Sequence, residues 1–302
     1  MEPIQAVDQD FVYNLAASPT FSQDRIIFAA KQSGLYRSAD GGQTWNDAYA
    51  SLDLAIPLPT TSVTIIPAED KLYIFSCVEG NILRSSNGGD TWEFAKLSSP
   101  SPLVTAMVRS PNFPQDGTLL AGTMQDGIFR STSRGAAWSG WNFGLFDPNI
   151  NALAISPNFT EDQTLLAGTQ SGIFRSINGG RSWRDLDFPI ENAPVLCIAI
   201  DQENKIFAGS EEQGLFLSQD DGETWHQLTS GSIEQIRIDF NDDILILKDA
   251  ELQFSKDGGK SWDARGQGFT SESVITGLAA PLGLSPEHPL WVGLSNGEIV
   301  RI

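Results

Sequence analysis

Cysteine, histidine and methionine are almost missing from this chain, with two, two and three copies among 302 residues. Cys77 and Cys197 stand far apart in apolar segments. Neither they nor His226 and His288 form the paired spacings that hold zinc. No metal and no cofactor are therefore expected, and two unbridged thiols suit a reducing compartment. Positive charge is scarce as well. The 19 Lys and Arg face 38 Asp and Glu, a net charge of -19. That balance excludes a phosphate-gripping surface for nucleic acid, and an anionic membrane would repel it. No apolar run reaches the roughly 18 residues of a membrane span. The opening MEPIQAVDQD has neither the basic nor the apolar stretch of a secretory leader. A cytoplasmic location is expected, or an extracytoplasmic one if a leader has been removed. No Gly-rich phosphate loop opens a helix, and no nucleophile elbow occurs.

What the chain has in abundance is one phrase, written six times. It reads SADGGQTW, SSNGGDTW, STSRGAAW, SINGGRSW, SQDDGETW and SKDGGKSW, closing on Trp45, Trp92, Trp138, Trp183, Trp225 and Trp262. The intervals between those tryptophans are 47, 46, 45, 42 and 37 residues. A period of about 40–50 residues with strand-like content marks a β-propeller.

The repeat extends beyond the phrase. VTAMVRSPNFPQDGTLLAGTMQDGIFRS from Val104 matches NALAISPNFTEDQTLLAGTQSGIFRS from Asn151. In the latter unit, apolar and β-branched runs at Ala152–Ser156, Thr164–Gly168 and Gly172–Arg175 are separated by turn residues, and a fourth run follows the tryptophan. Four such strands make one antiparallel blade. First strands are predicted near Val12, Val63, Val104, Asn151, Val195, Ile233 and Ile275, which counts seven blades. The expected fold is all-β: a single seven-bladed propeller over residues 1–302, with blades at 10–50, 61–97, 103–142, 150–187, 194–229, 233–266 and 273–302. The seventh unit has no phrase and no fourth strand. Residues 1–8 are expected to supply that strand and close the ring, removing an exposed edge.

The phrase itself reads as structure. Its Gly-Gly or Asp-Gly pair supplies the positive φ of a tight turn. Ser38, with Asp40, Asn87, Asn178, Asp220 or Asp257 two places after the leading serine of its copy, can bond the turn's own backbone. The tryptophan packs a large ring between blades. Ser133 fills the acidic place in the third copy, a drift that a hairpin tolerates and a shared catalytic role does not. Arg37, Arg84, Arg130 and Arg175 recur beside or within the phrase, which points to rim packing or a box-side ion pair.

The phrase resembles the Asp-box, or BNR repeat, of sialidases, xyloglucanases, sortilin and the photosystem II assembly propeller, the last being nearest in size and blade count. The resemblance implies the fold and leaves function open, because those families do unrelated things on one scaffold. It also implies that the boxes lie on the face opposite the usual working face. Nothing here matches the Arg-Ile-Pro sequence that introduces the sialidase arginine cluster.

A working face would be built from the turns between second and third strands and from the crossovers between blades. Gln125, Asp126, Gln170, Glu211 and Glu212 lie on such turns. Trp141, Phe143 and Phe146 crowd the third crossover, and Tyr49, Phe188 and Phe269 sit on others. Aromatics beside an acidic rim suit a protein partner with a basic surface, bound by a monomeric, non-catalytic scaffold. The alternative is a carbohydrate-active enzyme, a glycoside hydrolase or lyase, or a glycan-binding module at the channel mouth. A hydrolase needs two carboxylates about 5–10 Å apart.

Overall fold

A computed structural model of the chain describes residues 10–97, 102–266 and 273–302. Seven antiparallel sheets follow one another along the sequence. Six have four strands, and the seventh has three among the described residues. The innermost strands are Val12–Ala17, Thr60–Ala68, Val104–Arg109, Ile150–Ile155, Val195–Ile200, Ile233–Ile238 and Ile275–Ala279. They lie around a common channel, and the chain is a seven-bladed propeller. The seventh sheet holds Ile275–Ala279, Trp291–Leu294 and Ile299–Arg301. The expected closing strand at 1–8 lies outside the described residues. The fourth strands are only two to four residues long, from Ser139–Gly140 to His226–Thr229.

Among the described residues the apolar core is divided into seven clusters, and each straddles two neighbouring blades. The joint between blades seven and one is among them: Val12, Leu15, Phe21 and Ile27 pack on Ala279 and Trp291. The chemistry of the second strands explains the fit. In blade four, Leu165–Thr169 is buried throughout, yet it holds a glycine. A Cβ on Gly168 would stand 2.9 Å from the carbonyl oxygen of Val195, the first inner residue of blade five. Gly122 and Gly209 make the same room for Ile150 and Ile233.

Every inner strand skips one register position just after its start, between Val12 and Asn14 in blade one and between Ile275 and Gly277 in blade seven. Such a bulge turns a polar side chain toward the next blade. Thr105 donates to the carbonyl of Ile150, Thr276 to that of Val12, and Gln235 to that of Thr276. Asn14 accepts the N–H of Val63. The cysteines are free and buried. Burial pushes both thiols up to about 12, so neither is a reactive thiolate at neutral pH.

Candidate functional site

The antiparallel order of the strands sends successive loops to opposite faces. The six phrases and the turns between first and second strands share one face. The turns between second and third strands share the other with the crossovers.

On the phrase face the serine, aspartate and asparagine side chains of each turn are satisfied within that turn. The Ser38 hydroxyl takes the Gly42 N–H at 2.8 Å and donates to Asp40. The Asp40 carboxylate accepts the N–H groups of Gln43 and Thr44 and the hydroxyl of Thr44. Hydroxyl and backbone donors within their own turns hold the carboxyls of Asp220 and Asp257 at about 2, and that of Asp40 lower still. Asn87 and Asn178 keep the geometry, each taking a backbone N–H and giving its amide hydrogen to Thr91 or Ser182. Ser133 keeps the bond from the Ala137 N–H and the hydroxyl contact with the leading Ser131. Trp92 and Trp183 are buried; the rings of Trp45, Trp138, Trp225 and Trp262 are half-buried. The recurring arginines each reach forward to the phrase of the next blade. Arg37 pairs with Asp90, Arg84 bonds the carbonyl of Arg134, Arg130 that of Gly179, and Arg175 both the carbonyl and the carboxylate of Asp221.

On the loop face, crossover three is tied to the turns around it. Asn142 takes the N–H of Ile128 and donates to the carbonyl of Asp126, while Asp147 accepts the N–H of Ser171 in blade four. Burial opposes the charge on Asp147, but the donors of Asn149 and Ser171 prevail and hold its carboxyl below the ordinary value. Gln125 occupies the tip of its turn at φ 75°, and Gln170 bonds Asn151. Glu211 and Glu212 stand exposed on the blade-five turn. The structure thus spreads the expected residues along one face, from blade three to blade five.

Two of the three crossover aromatics face solvent: Phe143 is 79% exposed and Phe146 85%. Trp141 does not join them. Its half-buried ring lies under the Arg130 guanidinium, 4.6 Å to the centroid, and its carbonyl receives the indole N–H of Trp183. That side chain belongs to the joint between blades three and four. Tyr49 and Phe188 are buried caps of the same kind, and Phe269 lies outside the described residues. Sequence reasoning missed Leu54, Ile56, Leu103, Met124 and Val274, all exposed on this face, with Ile56 at 76%. The signal was present: AIPLP in the first crossover is apolar where a solvated loop is polar.

Charge is uneven on this face. Asp53, Glu79, Asp126, Asp187, Glu191 and Asp249 are exposed, together with the Glu211–Glu212 pair. The lysines flanking the turns are engaged, Lys31 with Asp10 and the carbonyl of Gly297, Lys248 with Thr229.

The channel opens at the centre of the ring. Its cavity of about 590 Å³ is lined by all seven inner strands. Blade six contributes the ionisable side chains of Glu234, Arg237 and Asp239. Burial raises the Glu234 carboxyl above its ordinary value, and its Oε2 has no hydrogen-bond partner. Asp239 accepts the N–H groups of Asn241, Asp243 and Leu284. Among the described residues no three His, Cys, Asp or Glu gather to hold a metal, and no helix is long and apolar enough to cross a membrane.

No known sequence family matches the chain, and no curated protein does. Solved structures match its fold. The extracellular domain of a proposed one-component system from B. thetaiotaomicron aligns with TM-score 0.74 at 17% identity, covering 98% of this chain and 38% of that one. YCF48 bound to a D1 peptide aligns at 0.71 and 17%, covering 99% and 93%. The GH74 enzyme of Niastella koreensis aligns at 0.73 and 15%, covering 97% and 52%. The chain therefore spans well under two thirds of the B. thetaiotaomicron and Niastella chains and nearly all of the YCF48 chain.

Proposed function

We propose that this propeller is a non-catalytic platform that binds a protein partner on its loop face, and that the partner presents a basic, partly apolar surface. The observation that carries the reading is the combination on one face of exposed Ile56, Met124, Phe143 and Phe146 with a surplus of exposed carboxylates. Scattered exposed apolar residues need no explanation, but a set on one rim of a rigid scaffold marks a contact surface. The acids accelerate encounter with a basic partner, and the apolar anchors slow its escape. The YCF48 chain, of like length and fold, is bound to a peptide, which supports the general class.

The test begins with chemical cross-linking in the native host to recover the partner, followed by surface-based kinetics at two ionic strengths. Phe146→Ala should act on the off-rate and weaken binding by roughly 2 kcal/mol, the scale of an interface anchor. Glu211→Lys combined with Glu212→Lys should slow association, and less so at high salt. Wild-type kinetics in both variants would reject the face.

A carbohydrate-active channel has one observation in its favour, the raised carboxyl of Glu234, which suits a general acid. Release of reducing sugar from a polysaccharide panel by the purified protein, abolished in Glu234→Gln, would put the enzyme in place of the platform.

A further inference from the structure

The channel holds a feature that neither the platform nor the phrases use. Arg237 follows the bulge of the blade-six inner strand and pairs in register with Leu245. The register-matched positions of the other six inner strands are Ala16, Thr64, Val108, Ala154, Ala199 and Ala279. Six blades thus place a small or uncharged side chain where one places a guanidinium. Arg237 lines the cavity, its side chain is exposed to it, and Nη1 bonds the carbonyl of the adjacent Ile236 at 3.0 Å. Among the described residues it forms no ion pair. The carboxylates nearest in sequence are not available to it. Asp239 accepts three backbone donors, and neither it nor Glu234 pairs with the guanidinium.

An arginine kept charged, wet and unpaired inside a ring of protein is an unusual arrangement. Burial works against its charge and pushes its pKa down. An anion entering the channel would relieve that cost, and a planar carboxylate matches the guanidinium fork with two parallel hydrogen bonds. The rest of the wall mixes apolar side chains, Met107, Leu196 and Ile238 among them, with Asn14, Thr64, Asn151 and Gln235. We infer that the central channel binds a small organic monocarboxylate, its acid group clamped by Arg237 and its body lying against the mixed wall. This site is separate from the loop face, and either reading stands without the other.

The test titrates the full chain with hexanoate, hexanamide and inorganic phosphate by calorimetry. Hexanoate should bind, and hexanamide and phosphate should each bind at least about tenfold more weakly, since one lacks the charge and the other the organic body and the planar carboxylate. Arg237→Gln should lose hexanoate affinity by a similar factor while melting at the wild-type temperature. Should that variant fold poorly, nitrogen NMR of the wild-type Arg237 side chain gives an independent reading, and its Nε resonance should shift on adding hexanoate and stay still on adding hexanamide. The inference is overturned if hexanoate does not bind the wild type, if Arg237→Gln binds it unchanged, if phosphate binds as tightly, or if the Nε resonance does not respond.

Discussion

Six copies of one turn within a single chain amount to a substitution series at residue scale. Aspartate, asparagine and serine occupy the same place at Asp40, Asn87, Ser133, Asn178, Asp220 and Asp257, and the turn closes in each case. Asparagine reproduces the aspartate's bonds without titrating, since its carbonyl takes the N–H and its amide replaces the accepting oxygen with a donor. A pH prediction follows. The carboxyls of Asp220 and Asp257 sit at about 2, below the ordinary 3.8. Their folded values are depressed, so the stability they contribute is complete above the unfolded value and is lost as pH falls through the folded one. Thermal melts from about pH 5 down to pH 2 should show the wild type losing stability over the lower part of that range. Asp220→Asn with Asp257→Asn should flatten that loss while leaving the neutral melt near wild type. An acid profile unchanged by the pair would show that these carboxylates do not govern it.

At the scale of the element, the legible part of the sequence was whatever repeats. The phrase located the third-to-fourth turn in six blades, and the apolar runs located the inner strands. In blade two the strand begins at Thr60, ahead of the Val63 that hydropathy favoured, because Thr60 is fully buried and bonded to Tyr49 through its hydroxyl. The SPNF stretches read as plain turns, yet they open single-turn helices, Phe113–Asp116 and Phe159–Asp162. The hydroxyls of Ser110 and Ser156 accept the N–H groups of Asn112 and Asn158, and the phenylalanines drop into the joints. Trp141 was misplaced for a related reason. Its sequence neighbours are loop-like, and only the forward reach of Arg130 reveals the ring as packing. Arg237 was invisible because one charged residue in a strand carries no periodic signal; its meaning comes from comparison across the seven registers. The second-strand glycines make a sharp prediction. Gly168→Val sets a branched side chain against the Val195 carbonyl, a backbone atom that cannot rotate away. The variant should lose about 1–3 kcal/mol in denaturant melts, the usual cost of overpacking. A wild-type midpoint would mean the joint is looser than its geometry.

For the whole molecule, stability resides in the joints. Each blade offers one face backward and one forward, and five of the seven joints also carry a bond between neighbouring inner strands among the described residues. In blade seven the strand Ile299–Arg301 pairs on one side with Trp291–Gly293 and, among the described residues, with no strand on the other. We propose that residues 1–8 complete that sheet. Their deletion should lower the melting temperature and raise the tendency to aggregate, as an uncovered edge does. An unchanged melt would show that side-chain packing at the Val12–Trp291 joint closes the ring by itself.

Because every core is shared between two blades, each joint is a head-to-tail contact that stops only because the seventh meets the first. A ring of that kind has a particular failure mode. If the joint of blades seven and one opens, the molecule ends in two complementary half-cores, one bearing Trp291 and the other Val12 and Phe21. Each half fits the opposite end of a second chain as well as its own. Opened at high concentration, the propeller would exchange ends between molecules, and its misassembly would be a chain of native joints.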